Sequence, residues 1–478
     1  MAVRSKHPVA AAPTAPVREK TAHLLLRAWC IVILFLSLSG VAWINAIGSI
    51  ATGALIVATG VVSLILWLVM RPPVQWRRLP WFPVAYALWA GLSIAWSQWP
   101  GTSALTWALL LITAMQGFFV AAVLTWRELV RAIASALKWC LGLSLLFEFI
   151  VAAFIRQPLL PGFVIPDTPA ADPIVYWCRG NLFNDGRIQG IYGSANPLAA
   201  VCLLAIIVFA IRLASRAPRR AFLIVWIVIA AFLMYRASSA TIYLATLGVA
   251  VVLATVLLMR SAKRPGARTK WYVVFAVVGI GGALSIWLLR DRIFSALGRS
   301  SDLTGRETIW QSVLARTAQH PVVGNGFATP WIPTDPHFDG WIIDHGQTVM
   351  QAHNMWIDVS MQLGIVGVVL LGMLYLAYVW RAWFFAVDRP RWDLRDDRPY
   401  SAVTLLPTLV GALLLVQGLA ESEPLLLWGW MFVVMLAFKI KQSPHVGMGR
   451  IEQRVAIERG ELVPDAADEA QLDNRAHW

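Results

Sequence analysis

The chain has 478 residues, of which 58% are hydrophobic and only 14% charged, against about 45–50% and about 25% in soluble domains. A mean hydropathy of +0.65, with 25 Trp and 20 Phe spread along the chain, excludes a secreted enzyme, a nucleic-acid-binding domain and a disordered protein. It implies many bilayer-spanning segments, each needing about 20 apolar residues. The excess of 40 Lys and Arg over 26 Asp and Glu reports topology in a membrane protein before it reports a partner, so no nucleic acid is implied.

Residues 1–22, rich in Ala and Pro with Arg4, Lys6, Arg18 and Lys20, precede an apolar run that lacks a small-residue cleavage site after it, and they read as a retained cytoplasmic tail. Twelve apolar runs then follow, near 24–44, 50–70, 81–97, 104–124, 133–155, 196–211, 221–235, 239–259, 271–289, 361–384, 402–420 and 424–438. Each predicts a helix, because lipid offers no partner for an open backbone. The fold class is therefore all-α: a polytopic membrane protein with about twelve transmembrane helices over residues 23–440, followed by a polar, charged cytoplasmic tail over 441–478. Cys30, Cys140 and Cys202 lie in apolar runs and Cys178 in a connecting loop, which leaves no disulfide framework.

With alternating sides assigned to the loops, 30 of the 40 basic residues fall on one side and 9 on the other, and Lys138 lies inside a span. The positive-inside rule then places both termini in the cytoplasm. Two outward loops are long, 156–195 and 290–360, and long loops tend to carry function. All nine outward basic residues are Arg: Arg156, Arg179, Arg187, Arg236, Arg290, Arg292, Arg299, Arg306 and Arg316. The guanidinium fork suits phosphate, although Lys is scarce throughout this chain.

The first long loop ends in R-I-Q-G-I-Y-G-S-A-N-P-L-A, Arg187 to Ala199. Spacing alone reads this as a capped helix start, with Ser194 or Asn196 as the cap and Pro197 tolerated in the first turn; with Arg187 beside it, the same helix start is also an anion site. The second long loop contains L-T-G-R-E-T-I-W-Q-S-V-L-A-R-T-A-Q-H-P-V-V-G-N-G-F. Thr304 and Glu307 fit a capping box, and Ile309, Trp310, Val313, Leu314 and Thr317 make one apolar face until His320-Pro321 ends the helix. Such a helix is expected at the membrane surface, with Trp310 as its anchor and Arg306 at headgroup level.

The loop closes with A-H-N-M-W-I-D-V-S-M-Q-L-G-I-V-G, Ala352 to Gly367, which runs into the tenth span. His353 precedes that helix, where an imidazole can serve as base, Asn354 can cap it, and Asp358 lies one turn further in. By itself a His at a membrane boundary is usually an interfacial polar residue. Asp335, His337, Asp339 and His345 share the loop, but no D-x-D pair in an outward loop and no H-x-x-x-H or C-x-x-C spacing anywhere indicates a metal, and no cofactor motif appears. Inside the spans Lys138 is placed to snorkel and Glu148 to face an outer cavity or pair with an Arg. Glu421 and Glu423, in the A-E-S-E-P turn, either neutralise a site Arg or are solvated.

Taken in order, L-S-I-A-W-S-Q-W-P at Leu92 to Pro100, R-I-Q-G-I-Y-G-S-A-N-P-L-A, L-T-G-R-E-T-I-W, H-P-V-V-G-N-G-F and A-H-N-M-W-I-D-V-S-M-Q-L-G-I-V-G resemble the O-antigen ligase and polymerase superfamily over roughly residues 24–440. The resemblance implies a metal-independent, C-type glycosyltransferase of the cytoplasmic membrane, active on its outer face. It would use a polyprenyl-diphosphate-linked glycan as donor and a glycan, lipid or protein as acceptor. It puts His353 in the acceptor-activating role, Arg306 on the diphosphate, and Arg187, Arg236, Asn196 and Asn354 among the substrate-binding residues. One position departs: Ala240 stands where many members carry a basic residue, and Arg236 is the nearest substitute. A repeat-unit polymerase of the same superfamily is the first alternative. A lipid-linked glycan flippase, a different class, would predict broken helices, internal repeats and midplane charges.

Overall fold

Helix occupies each of the twelve apolar runs in the computed structural model, which describes residues 21–169, 172–262, 266–296, 306–388, 399–425 and 427–446. Nearly all of the expected N-terminal tail, the C-terminal tail from 447, Thr304 and Arg299 lie outside these residues, as do the side chains of Arg290 and Arg292. Eight helices are long and apolar enough to cross a bilayer: α1 (Thr21–Leu38), α3 (Ser49–Met70), α5 (Pro100–Val123), α6 (Trp126–Ile150, extended by a π turn to Ile155), α7 (Ala195–Ala214), α8 (Arg220–Ala237), α9 (Ala240–Ser261) and α12 (Met355–Val387). The remaining runs are met by the shorter α4 (Trp81–Leu92), α13 (Leu406–Gln417) and α14 (Leu427–Gln442), and by α10 (Thr269–Ala296), whose apolar stretch is Thr269–Gly282. The short α2 (Gly40–Ile47) completes the first run, and α11 (Arg306–Thr317) is the helix of the second long loop. The only strands among the described residues are Ile343–Asp344 and Gln347–Thr348, an antiparallel pair turning at His345 and Gly346, both with positive φ, as tight hairpins require.

Where each helix sits follows from its composition. α14 is apolar all round and buried from Trp428 to Ile440, which is how a central helix reads; it packs on α5, while α1 packs on α6, α4 on α12 and α9 on α13. The peripheral helices keep large apolar side chains outward, such as Val69 at 75% exposure and Ile280 at 71%, an arrangement suited to lipid. The start of α6 is fixed by a capping box between Thr125 and Glu128, and Glu128 also meets the buried His23 of α1 at 2.6 Å.

A second, smaller core forms where Trp99, just before α5, meets Ile309, Val313, Trp331 and Phe338 of the loop between α10 and α12. Part of the apolar face expected of α11 is spent on this core, with Ile309 and Val313 buried in it while Leu314 stays 50% exposed, and Trp310 donates to the Ala352 carbonyl at 2.9 Å.

Three of the sequence motifs meet at a break in α12. Gly364 leaves the helical conformation at φ 62° and ψ −166°, and the segment 321–326 lies along the opening. Ile365 and Val366 donate to the carbonyls of Pro321 and Val322, while Asn325 and Gly326 donate to those of Met361 and Gln362; Trp89 takes the Leu363 carbonyl. Every backbone group freed by such a break needs a partner in lipid, and residues 321–326 supply four of these five. The W-S-Q-W-P stretch holds that segment from the other side, with Gln98 on Asn325 and Trp99 on the Gly326 carbonyl. Glycine is required here because a Cβ on Gly364 would meet the Val322 carbonyl oxygen at 2.2 Å and one on Gly324 the Gln362 carbonyl oxygen at 2.3 Å. Gly364→Ala is therefore expected to destabilise by about 2–4 kcal/mol, read as a drop in melting temperature in detergent. Gly372→Ala on the same helix, where a Cβ has nothing within 4 Å, should melt like the parent.

Candidate functional site

The break fixes the direction of the first turns of α12, and with it His353. Asn354 caps α12 by accepting from the amides of Trp356 and Ile357, as its position predicted, and its amide nitrogen donates to the Leu419 carbonyl at 3.0 Å. Met355 donates to the Gly418 carbonyl. The start of α12 is thus tied to the turn between α13 and α14, which carries A-E-S-E-P. Further in, Asp358 accepts from Trp331 and Gln362, holding the second core against the helix.

Glu421 projects from that turn into the space between α7, α11 and α12, and four side chains converge on it. His353 Nδ1 lies 2.8 Å from its Oε2; Arg306 Nη2 donates to Oε1 at 2.8 Å; Asn196 Nδ2 donates to Oε1 at 2.7 Å; Gln351 Nε2 lies 3.5 Å from Oε2. Glu421 is 6% exposed and Arg306 15%, whereas His353 is 31% exposed, so the imidazole forms the open side of the cluster. His353 also has a positive φ of 50°, an uncommon conformation for a non-glycine residue and one that recurs at functional sites.

Burial would push the Glu421 carboxyl up, but the hydrogen bond and charge of His353, the charge of Arg306 and the Asn196 amide outweigh it and hold the carboxyl below its ordinary range. An ionised Glu421 can accept from Nδ1–H, and in the neutral imidazole that tautomer keeps the lone pair on Nε2. Glu423, two residues on, behaves oppositely: burial and the neighbouring Glu421 charge push it up to about 8. Two carboxyls on one turn thus carry different charges at neutral pH.

The signs of the two effects differ. Glu421, lowered on folding, contributes stability that is present at neutral pH and is lost as pH falls through its folded value. Glu423, raised on folding, takes stability away from the ordinary carboxylate range upward, and that loss is complete only above about 8. Thermal stability in detergent should therefore fall between pH 6 and pH 9, and Glu423→Gln should flatten that decline; an unchanged slope would show that Glu423 does not titrate there.

The first long loop reaches the cluster through Asn196. Arg187 donates from Nη2 to Asn196 Oδ1 at 2.9 Å and from Nε to the Ala237 carbonyl at 2.8 Å, and Ser239 donates to the same Asn196 oxygen. Asn196 does not cap α7, as its position had suggested: it lies within the first turn, after Ser194 at the cap position, and its side chain links Arg187 to Glu421. Arg236 is not brought to Glu421. Its Nη2 donates to the carbonyls of Asn181 and Asn184, at 2.6 and 2.5 Å, while its buried Nε has no hydrogen-bond partner among the described residues.

Glu148 accepts from the backbone amides of Gln189 and Gly190 and from Cys178, pinning the segment that presents Arg187, and the Arg236 charge acts on it as well. Cys178, although in a loop, is buried. Lys138 sits 4.5 Å over the Phe222 ring. The Arg306 guanidinium turns inward to Glu421. Among the described residues no group of three or more His, Cys, Asp or Glu gathers as a metal ion requires; Asp335 meets His337 and accepts from the Thr102 hydroxyl at 2.6 Å, and Asp344 meets His345.

Sequence reasoning left Glu421 undecided and passed over Gln351. The signal for Glu421 was its acidity at a helix turn rich in apolar neighbours; its partners come from α11, α12 and α7, 115, 68 and 225 residues away in the chain.

Residues 227–372 match the family model described as O-antigen ligase. The chain is also 28% identical over 205 residues to the exopolysaccharide production protein ExoQ of Rhizobium meliloti (strain 1021), over 41% of this chain and 44% of that relative. Both findings support the O-antigen ligase and polymerase superfamily. The stretch matched by the family model carries Arg236, Arg306, His353 and Asn354, while Arg187, Asn196 and Glu421 lie outside it. The aligned stretch spans less than half of the relative's length. A membrane glycan ligase or polymerase family is the level at which these matches speak.

Proposed function

We propose that this chain transfers a glycan from a polyprenyl-diphosphate carrier to an acceptor hydroxyl on the outer face of the cytoplasmic membrane. Residues 23–440 form the transferase, and the tails 1–22 and 441–478 lie in the cytoplasm. The observation that carries this reading is the Glu421 cluster, which joins a half-exposed imidazole to a buried guanidinium through one ionised carboxylate.

In this mechanism the acceptor hydroxyl oxygen attacks the anomeric carbon as its proton passes to His353 Nε2. The bond from that carbon to the diphosphate oxygen breaks, and the diphosphate leaves with the electron pair. Glu421 orients the imidazole and stabilises the imidazolium, as carboxylates do for catalytic His. Arg306, with Arg187 behind it on Asn196, offsets the charge of the leaving group. Arg236 and Asn354 complete the donor site, with Asn354 also setting the angle at which α12 presents His353. One displacement inverts the anomeric centre, and none of these steps assigns work to a metal.

The name of the similar protein, which speaks of exopolysaccharide production, favours repeat-unit polymerisation as the second reading, with the growing chain and the single unit as the two substrates. The break in α12 does not favour a transporter, because its freed backbone groups are taken by residues 321–326 and by Trp89. Deleting the gene should abolish the surface or secreted polysaccharide and accumulate its polyprenyl-diphosphate-linked precursor in the outer leaflet, and wild-type protein should restore the product. Accumulation of the precursor in the inner leaflet would instead point to a flippase.

A further inference from the structure

At the end of the bundle away from His353, a cavity of about 730 Å³ opens between the start of α6, the last turns of α12, residues 399–404 and the end of α14. Three of its lining side chains are cationic or can become so: Arg127, Arg381 and His445. Among the described residues neither guanidinium has a hydrogen-bond or ion-pair partner. The one carboxylate among the described residues of its lining, Asp388, is already paired with Arg268 at 3.0 Å. Tyr400, Ser401 and Thr404 add hydroxyls, and Phe384 and Phe385 an apolar wall.

A second cavity, of about 340 Å³, shares Arg381 and Ile440 with the first. Its lining is mainly apolar, with Trp81, Phe82 and Leu374, and it runs along α4 and α12. Beside the two, Trp380 and Leu376 of α12 are 64% and 61% exposed, in a helix long and apolar enough to cross a bilayer. An unpaired cationic head joined to an apolar groove, at the edge of a lipid-facing helix, matches the two halves of one amphipathic molecule.

We infer that this double cavity binds an anionic membrane phospholipid, its phosphodiester between Arg127 and Arg381 and an acyl chain in the groove along α4 and α12. The end of the bundle supports it: Lys441 and Gln442 of α14 hydrogen bond to the backbone of Leu79, Gln75 and Arg78, which brings the basic segment holding Arg77 and Arg78 to the same end, and basic pockets between membrane helices on the cytoplasmic side take anionic head groups. Phosphate chemistry draws the ligand to the guanidinium pair, and the apolar groove selects a lipid over free phosphate.

Native mass spectrometry of the full-length protein, incubated with dioleoylphosphatidylglycerol or dioleoylphosphatidylcholine in mild detergent, tests this. The phosphatidylglycerol adduct should survive where the phosphatidylcholine adduct does not, and inorganic phosphate should leave it in place. The double variant Arg127→Gln/Arg381→Gln should retain it about tenfold less, and Arg381→Lys, which keeps the charge, should stay near wild type and so guards against a general loss of folding. Equal retention of the two lipids, retention unaffected by the double variant, or displacement by inorganic phosphate would overturn the inference. So would phosphatidylglycerol binding that appears only once the chain is cut after Val446, which would assign the cavity to the protein's own acidic C-terminal segment.

Discussion

Replacing His353 by Gln should lower the turnover of glycan transfer by about 10²–10⁴-fold while leaving the donor's KM close to wild type. The asymmetry follows from the geometry. His353 is the open member of the Glu421 cluster, 31% exposed, with Nε2 unpartnered among the described residues, so it is available to an incoming hydroxyl rather than to the diphosphate. Removing a base costs the step in which the proton moves, and leaves the Arg contacts to the donor intact. Gln keeps the length and polarity of the side chain, and Asn354 still caps α12, so the variant should melt within a few degrees of the parent. A rise in KM with turnover unchanged would move His353 from proton transfer to donor binding.

Glu421→Gln should be nearly as severe, at about 10²–10³-fold in turnover, with a different signature. An amide at this position can donate to Nδ1, which favours the tautomer carrying hydrogen on Nε2 and turns a base into a donor. It also leaves the guanidinium of Arg306 without its counter-charge at 2.8 Å, so the donor's KM should change together with turnover, unlike in the His353 variant. Glu421→Ala should in addition cost about 3–5 kcal/mol of stability, because a guanidinium 15% exposed is then left unpaired. If Glu421→Gln turns over normally, the carboxylate is only a structural strut for the α13–α14 turn.

Much of the fold was legible from composition, because a run of apolar residues near the length of a bilayer has few other solutions, and every such run became helix. The N-cap at Asn354 was legible for the same local reason: the residue type and the helix start lie side by side in the chain. The Glu421 cluster was not, since it gathers residues from four separated helices and turns, and nothing local distinguishes Glu421 from Glu423. Only the fold gives one of them an imidazole and a guanidinium, and the other a neighbouring negative charge. Asn196 shows the limit of a local rule. Ser-Ala-Asn-Pro reads as a capped helix start, but three tertiary partners, Arg187, Ser239 and Glu421, claim its side chain. The break at Gly364 was hidden in a continuous apolar run, because the glycine's purpose is the backbone of Val322 lying against it.

The most direct test of the central claim is transfer in vitro. Purified full-length protein, reconstituted in lipid with a polyprenyl-diphosphate-linked glycan and an acceptor, should form the new glycosidic bond with EDTA present, release the polyprenyl diphosphate in equal amount and give the inverted anomer. Product length then separates a single ligation from polymerisation. Bond formation that stops with EDTA and returns with a divalent cation, or a product of retained configuration, would contradict the mechanism; no bond formation with any such donor would contradict the function.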